Sequence, residues 1–439
     1  MPRHLAAVVM AAGLGTRMRS ATPKHLHPLL GRRVVDWVLA AARTLGPERL
    51  VVVVSPGTEH AYGDAEVAVQ HEPRGTGDAA ATAHSTLGDF DGDVVVLSGD
   101  SPLMTAEILR DLVDVHAREE ADVTVLSFEP ARPLPYGRIV RGPDGSLARI
   151  VEDRDATPEE RAIRELNTSI YVFRAAALWP ALDAIDADNA QGELYLTDAV
   201  GVIVAGGGKT AVHRCDDELA PQGVNTRADL AVAAAVLRDR VNEAHMLAGV
   251  TIVDPATTWI EADVQLEADA LVQPFTVLRG RTRVAAGAEV GPHAVADDAS
   301  IGPGARVGPF CYVRPGTVLE AQARAGAFVE IKNSRIGKRS KVPHLSYIGD
   351  ADVGDDTNIA AGNVTANFGH RPGPKKRTTI GRNVKTGVDN TFVAPVKVAD
   401  DAWVWPGTVV TDDVPEGSLA GFPPRQVTKE GYVYRDGNE

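Results

Sequence analysis

Met10, Ala11, Ala12 and Gly13 run into Gly15, Thr16 and Arg17, a glycine loop set directly behind a short apolar stretch. Backbone N–H groups in such a loop can face a phosphate, and Arg17 can neutralise it. A lone glycine pair is more often a tight turn, yet Pro23 and Lys24 follow within a few residues and bring a second cation to the same place. Ser98, Gly99 and Asp100 end another apolar run and offer a carboxylate, which in isolation would read as an ordinary turn aspartate. The far half of the chain carries a second set, Arg314, Lys332, His344, Tyr347 and Asn358, placed among regularly spaced aliphatics. Polar groups in such a wall need a reason. A histidine there is usually a packing residue, but its neutral ring titrates near working pH and suits a proton acceptor.

The elements that must hold these residues follow two different periods. Up to about residue 227, short β-branched runs (Leu5 to Met10, Leu50 to Val54, Val94 to Ser98) alternate with helical patterns at Val34 to Leu45, Ala79 to Leu87 and Ala106 to Glu120. This alternation predicts an α/β fold with a doubly wound parallel sheet, in which ligands bind beyond the carboxyl ends of the strands. Residues 228–248, alanine-rich without Gly or Pro, read as a linker helix. From 249 to 439 the rhythm becomes hexads led by Val284, Val290, Ile301, Val307, Ile336 and Val353, each with a small residue four positions on. One hexad per face of a triangular coil places the aliphatics inside, so a parallel β-helix is expected, of the hexapeptide class that is left-handed and usually trimeric. The run Asn367 to Thr379 interrupts the hexads and reads as an extruded loop that can reach a ligand or a neighbouring subunit.

Composition narrows the partners. The 439 residues exceed one compact core, and 44% hydrophobic with 24% charged residues is a folding composition. A net charge of −14 argues against a chain-wide basic face for nucleic acid. The two cysteines, Cys215 and Cys311, make no metal-ligand spacing and fit a reducing cytoplasm. The apolar start passes into Arg17 where a cleavage site would be needed, so no signal peptide is expected, and no stretch has the length of a membrane span.

The Gly-x-Gly-Thr-Arg-Met and Pro-Lys pattern resembles the signature of sugar-phosphate nucleotidyltransferases. Gln70, Gly75 to Gly77, Ser98 to Asp100, Tyr136 to Ile139, Ile150 to Glu152, Leu166 to Thr168 and Gly223 to Asn225 follow in the order of bacterial N-acetylglucosamine-1-phosphate uridyltransferases. Those enzymes also end in a hexapeptide β-helix. Over nearly its whole length the chain resembles the bifunctional uridyltransferase/glucosamine-1-phosphate acetyltransferase family, which supplies UDP-N-acetylglucosamine, a cell-wall precursor. The resemblance implies that Met10 to Gly13 line the nucleotide and that Arg17 and Lys24 stabilise its phosphates. It gives uracil to Gln70, Gly75 and Thr76, further nucleotide and sugar contacts to Ser98 and Gly99, the sugar to Gly137, Glu152 and Asn167, and Mg2+ to Asp100 and Asn225. In the coil it implies Arg314 and Lys332 on the sugar phosphate, Tyr347 and Asn358 on the sugar, and His344 as base. Acetyl-CoA would meet Ala361, Asn367, Phe368, Lys375, Val388 and Pro406.

The chain departs from the family at named places. Ser98 stands where an aromatic residue is common. Phe368 replaces a tyrosine, Val388 a serine, Trp405 and Pro406 small residues, and Pro423 an arginine for which Arg425 is a nearby substitute. The loop from Phe368 to Arg377 is longer than the family's. The sugar half of the acyl site is therefore expected intact and the donor half altered. The leading expectation is a two-site enzyme using UTP, N-acetylglucosamine-1-phosphate, glucosamine-1-phosphate and acetyl-CoA. The alternative is a uridyltransferase paralogue whose β-helix has a changed acyl donor or serves only as a trimerisation scaffold.

Overall fold

The computed structural model describes residues 4–432 apart from 14, 64, 370–372, 423–425 and 431. The chain forms two compact units, 1–237 and 238–439. The division falls inside the helix Arg227–Leu247, which covers the stretch read from sequence as a linker.

In the first unit the strands are β1 (Leu5–Ala11), β2 (Pro28–Leu29), β3 (Arg32–Arg33), β4 (Arg49–Val54), β5 (Glu66–Val69), β6 (Asp93–Ser98), β7 (Val123–Phe128), β8 (Arg138–Arg141), β9 (Leu147–Val151), β10 (Leu166–Arg174) and β11 (Thr210–Cys215). The main sheet runs β11-β7-β10-β6-β1-β4-β5, with the β8–β9 hairpin attached to β10. Alternate residues face opposite ways, so Ala6 and Val8 pack on one layer of helices while Leu5, Ala7 and Val9 pack on the other. The first layer holds Thr76–Leu87, Ala175–Ala184 and Leu196–Ala205, the second Val34–Arg43 and Ala106–Arg118.

The sheet is mixed, not wholly parallel as the sequence pattern suggested. β1 pairs in parallel with β4 and β6, but β10 runs antiparallel to both β6 and β7. A parallel entry needs a crossover helix. Here the chain instead turns back in the tight β8–β9 hairpin, so β9 and then β10 run in the opposite sense to β7 and β8. The order reverses between β1 and β6, and Met10 stands in register with Ser98 at that point.

The second unit is a coil of short parallel strands in three long sheets of six, nine and eight strands. The hexad leaders Val284, Val290, Ile301, Val307, Ile336 and Val353 are all at most 2% exposed, and the small residues four positions on, from Ala288 to Thr357, are buried with them. Each coil alone has no closed core, so stability comes from stacking coil on coil. The expected extruded loop leaves after the strand Val364–Ala366 and returns at Thr378–Ile380. Among the described residues no helix is long and apolar enough to cross a membrane.

Candidate functional sites

The carboxyl ends of β1, β5 and β6 open into a cleft of about 600 Å³. Met10, Ala11, Ala12, Gly13, Lys24, Gln70, Gly75, Thr76, Ser98, Gly99 and Asp100 all line it, although Lys24 and Asp100 lie far apart in sequence. The Lys24 ammonium makes an ion pair with the Asp100 carboxylate, with side chains only 15% and 16% exposed. Lys24 Nζ also donates to Asn225 Oδ1 at 3.0 Å, and Arg17 Nη2 donates to the same oxygen at 2.9 Å. Ser98 Oγ donates to Asp100 Oδ1 at 2.7 Å. Burial would raise the Asp100 carboxyl, but the Lys24 cation outweighs it and holds the group below its ordinary range.

Local backbone explains why these residues meet. Gly15 has φ 60°, and a Cβ there would stand 2.5 Å from that of Lys24, so only glycine lets the loop fold onto the Pro23-Lys24 segment. Gly75 has φ 117°, and a Cβ would fall 2.4 Å from the Leu194 carbonyl. Gln70 Nε2 donates to Asp78 Oδ2 at 2.7 Å and to the Gly75 carbonyl at 3.2 Å, which fixes its amide at the rim. The Thr76 hydroxyl accepts from the Leu196 N–H at 3.0 Å.

Arg17 and Glu152 line an adjoining hollow of about 370 Å³ with Thr16 and Gln191. Burial raises the Glu152 carboxyl above its ordinary value, although Thr197 Oγ1 donates to it at 3.1 Å. Gly137 and Asn167 lie together, the Asn167 N–H donating to the Gly137 carbonyl at 2.8 Å. The Asn167 side chain is 1% exposed and donates to the Tyr171 hydroxyl at 2.8 Å, so it lies behind the cleft wall. His25 and Ser169, which the sequence reading did not single out, also line the cleft. Burial, with help from Lys24, lowers His25 to about 4, so the ring is neutral. Ser169 stands at φ 60° where the pairing of β10 with β7 shifts register, a break that no local residue pattern announces.

The oxygen donors Asp100 and Asn225 are the type a hard divalent ion takes. Among the described residues no group of three or more His, Cys, Asp or Glu forms a metal cage, so such an ion would draw its remaining ligands from substrate and water. The two side chains fit that arrangement.

In the coil, Glu330 pairs with Tyr347 and Lys332 with Gly349 on adjacent strands. Arg314 Nη1 donates to Glu330 Oε1 at 2.7 Å, and its guanidinium stands 5.7 Å from the Tyr312 ring centre. Contact with the Lys375 ammonium lowers the Lys332 pKa. Asn367 donates to the Tyr347 hydroxyl at 3.4 Å and to Asp350. Burial would raise Asp350, but bonds from Asn333 and Asn367 hold it below its usual range. Arg314, Lys332, Tyr347, Asn367 and Lys375 therefore gather, the last two being assigned to the donor by resemblance.

His344 ends the strand Lys341–His344 beside Ala327 of the preceding coil, and its ring is exposed. Asn358 does not join the Arg314 group. It stands next to Lys341 and Lys385 on a different sheet and lines a separate groove. The donor positions Ala361, Val388 and Pro406 stack on successive coils, since the Asp389 N–H bonds the Ala361 carbonyl at 2.9 Å and the Gly407 N–H the Val388 carbonyl at 2.8 Å. Val388 is 44% and Phe368 83% exposed. The Trp405 ring is neither free nor sealed in, half-buried with its centre 5.5 Å from that of Trp403. Pro423 and Arg425 lie outside the described residues.

A cleft at the strand-order reversal, with cations and a carboxylate at its floor, defines a nucleotide-transferring class. Residues 7–196 match the family model of the MobA-like NTP transferase domain. Similarity to curated relatives extends through the coil. The chain is 46% identical to the Bifunctional protein GlmU of Mycolicibacterium gilvum, covering 98% of this chain and 92% of that one. It is also 46% identical to the proteins of that name from Streptomyces avermitilis, over 99% and 95%, and Mycobacterium tuberculosis, over 99% and 93%. The chain belongs to the bifunctional GlmU family.

Proposed function

We propose that the chain performs two reactions of UDP-N-acetylglucosamine synthesis at two separate sites. The first unit transfers uridylyl from UTP to N-acetylglucosamine-1-phosphate with release of pyrophosphate. The coil transfers acetyl from acetyl-CoA to the amine of glucosamine-1-phosphate. The observation that carries the first reaction is the meeting of Arg17, Lys24, Asp100 and Asn225 at the strand-order reversal.

Uridylyl transfer needs no acid–base pair, because a phosphate oxygen already ionised attacks the α-phosphorus. Charge must instead be neutralised on nucleophile and leaving group, the work of Arg17 and Lys24. Met10 to Gly13 hold the nucleotide, Gln70 with Gly75 and Thr76 reads its base, and Glu152 with Gly137 and Asn167 shapes the sugar side. Asp100 and Asn225 would hold Mg2+, which when bound offsets triphosphate charge.

In the coil, Arg314 and Lys332 bind the sugar phosphate, Tyr347 and Asn358 the sugar, and the exposed ring of His344 takes a proton from the attacking amine. Asn358 stands apart from the Arg314 group within one chain. We infer from this separation that a neighbouring copy completes the site, with the coil left-handed and the assembly a cytoplasmic trimer. A ladder of stacked, exposed rings, Phe275, His293, Phe310 and Phe328, with centres 4.7, 4.8 and 5.4 Å apart, supports such a contact.

One observation favours a changed acyl donor. Trp405 and Pro406 fill the end of the column that Ala361 and Val388 begin, where a pantetheine arm would have to share their volume. Thiol release from acetyl-CoA with glucosamine-1-phosphate tests this beside pyrophosphate release from UTP with N-acetylglucosamine-1-phosphate. Both signals are expected. Pyrophosphate without thiol would leave the first unit's reading intact and leave the coil with another donor or a scaffold role only; no pyrophosphate would overturn the proposal.

A further inference from the structure

Among the described residues of the first unit, Arg19, Leu30, Glu120 and Ser169 are the residues other than glycine that take a positive φ. Three of them close an element. Arg19 caps the turn Thr16–Met18, Leu30 lies between β2 and β3, and Glu120 follows the helix Ala106–Arg118. Ser169 instead stands inside β10, at φ 60°. That backbone costs a residue with a Cβ and costs a glycine little. Strain of this kind collects at binding sites, so the outlier raises the question of what its side chain does. From Leu166 to Phe173 every residue of β10 is buried except Ser169, and Ser169 lines the nucleotide cleft.

Behind it the polar groups are already engaged. Asn167 Oδ1 accepts the Ser169 N–H at 3.2 Å, and Asn167 Nδ2 donates to the Tyr171 hydroxyl at 2.8 Å. Thr168 Oγ1 donates to the Leu126 carbonyl at 2.8 Å and accepts the Ile170 N–H at 3.2 Å. Burial raises the Tyr171 phenol above its ordinary range, so it keeps its proton, and the Ser169 side chain bonds that hydroxyl. Asn167 is therefore occupied behind the wall, and Ser169 is the end of its network that reaches the cleft.

We infer that Ser169 is a specificity-determining residue of uridylyl transfer, its hydroxyl donating to the acetamido carbonyl of N-acetylglucosamine-1-phosphate. This rests on the reading of the first unit as the uridylyl-transfer site. The Tyr171 oxygen already takes an Asn167 amide proton, so the tyrosine gives its own proton to Ser169 Oγ and the serine proton is left for a ligand. A lone donor matches a group that only accepts. The acetamido carbonyl is such a group, whereas sugar hydroxyls also donate and suit the Glu152 carboxyl of the adjoining hollow. Glucosamine-1-phosphate lacks that carbonyl and would leave the serine donor unpaired, which is how a polar site rejects an analogue.

Steady-state pyrophosphate release by the full chain, with wild type, Ser169→Ala and Ser169→Gly compared, tests this. Losing one neutral hydrogen bond should raise KM for N-acetylglucosamine-1-phosphate about three- to tenfold and leave KM for UTP within about twofold. The slower reaction of glucosamine-1-phosphate should not change, so the preference for the acetylated sugar falls by the same factor. Ser169→Gly also relaxes the backbone, and its melting temperature should stay at or above that of the wild type while KM rises. A serine that served only the fold would leave KM unmoved in Ser169→Ala, and that result overturns the inference. Equal losses with both sugar phosphates, or a matching rise in KM for UTP, overturn it too. A wild-type chain that releases no pyrophosphate would bring down the uridylyl-transfer reading itself, whereas active variants with an unaltered sugar preference remove this inference alone.

Discussion

The cleft and the coil solve one problem, the gathering of separated residues, by opposite means. In the first unit Arg17, Lys24, Asp100 and Asn225 come from four loops and touch within one chain, because parallel strands β1 and β6 send their connections to opposite sides and leave a crevice between them. In the coil, residues near in sequence diverge. His344, Tyr347 and Asn358 lie within one coil of each other, yet Tyr347 faces the Arg314 group and Asn358 faces a separate groove. A sheet with a strand-order reversal concentrates side chains, whereas a solenoid spreads them over its faces and leaves assembly to neighbouring surfaces.

Substitution at the cleft floor should break the comparison hardest. Lys24→Ala is expected to lower uridylyl transfer by roughly 10³, the scale of a lost charge-stabilising donor, with acetyl transfer unchanged. His344→Ala should do the reverse, lowering acetyl transfer by at least about 10² and sparing pyrophosphate release. Kinetic assays of both activities on each variant check these together.

Stability sharpens it further. Ile331 is fully buried in the coil's single stacked core, and Ile331→Ala is expected to cost about 2–5 kcal/mol, read from denaturant unfolding. Gly15→Ala combines positive φ with a Cβ against Lys24 and should cost about 1–3 kcal/mol in the first unit, with uridylyl transfer falling more than stability explains. The smallest effect concerns pH. Glu152 is raised by burial, so the cost of its charge appears as pH rises through the folded value; Asp100 is depressed, so its contribution is lost as pH falls through its own. Glu152→Gln should therefore raise the melting temperature more at pH 8 than at pH 4.

The legibility of the two regions differs in the same way. Hexads declared the coil interior residue by residue, since Val284 to Val353 repeat one local rule and all proved buried. The strands β1, β4 and β6 were readable from their β-branched runs, but the antiparallel insertion of β10 was not, because its sense is set by the β8–β9 hairpin before it and not by the strand's own residues. Arg17, Lys24 and Asp100 stood out by type and glycine context. His25 and Ser169 did not, because their places at the cleft depend on backbone turns formed by distant partners. Resemblance named Asn358 for the sugar but carried no sign that one chain would hold it away from Arg314.

Independence of the two sites is the central claim, and mixing two damaged chains tests it most directly. Formation of UDP-N-acetylglucosamine from glucosamine-1-phosphate, acetyl-CoA and UTP would be followed for Lys24→Ala alone, His344→Ala alone and the two combined. Either variant alone should form the nucleotide sugar only at its residual rate, and the mixture far faster, because each retains the reaction that the other has largely lost. A silent mixture of two folded variants would contradict the account.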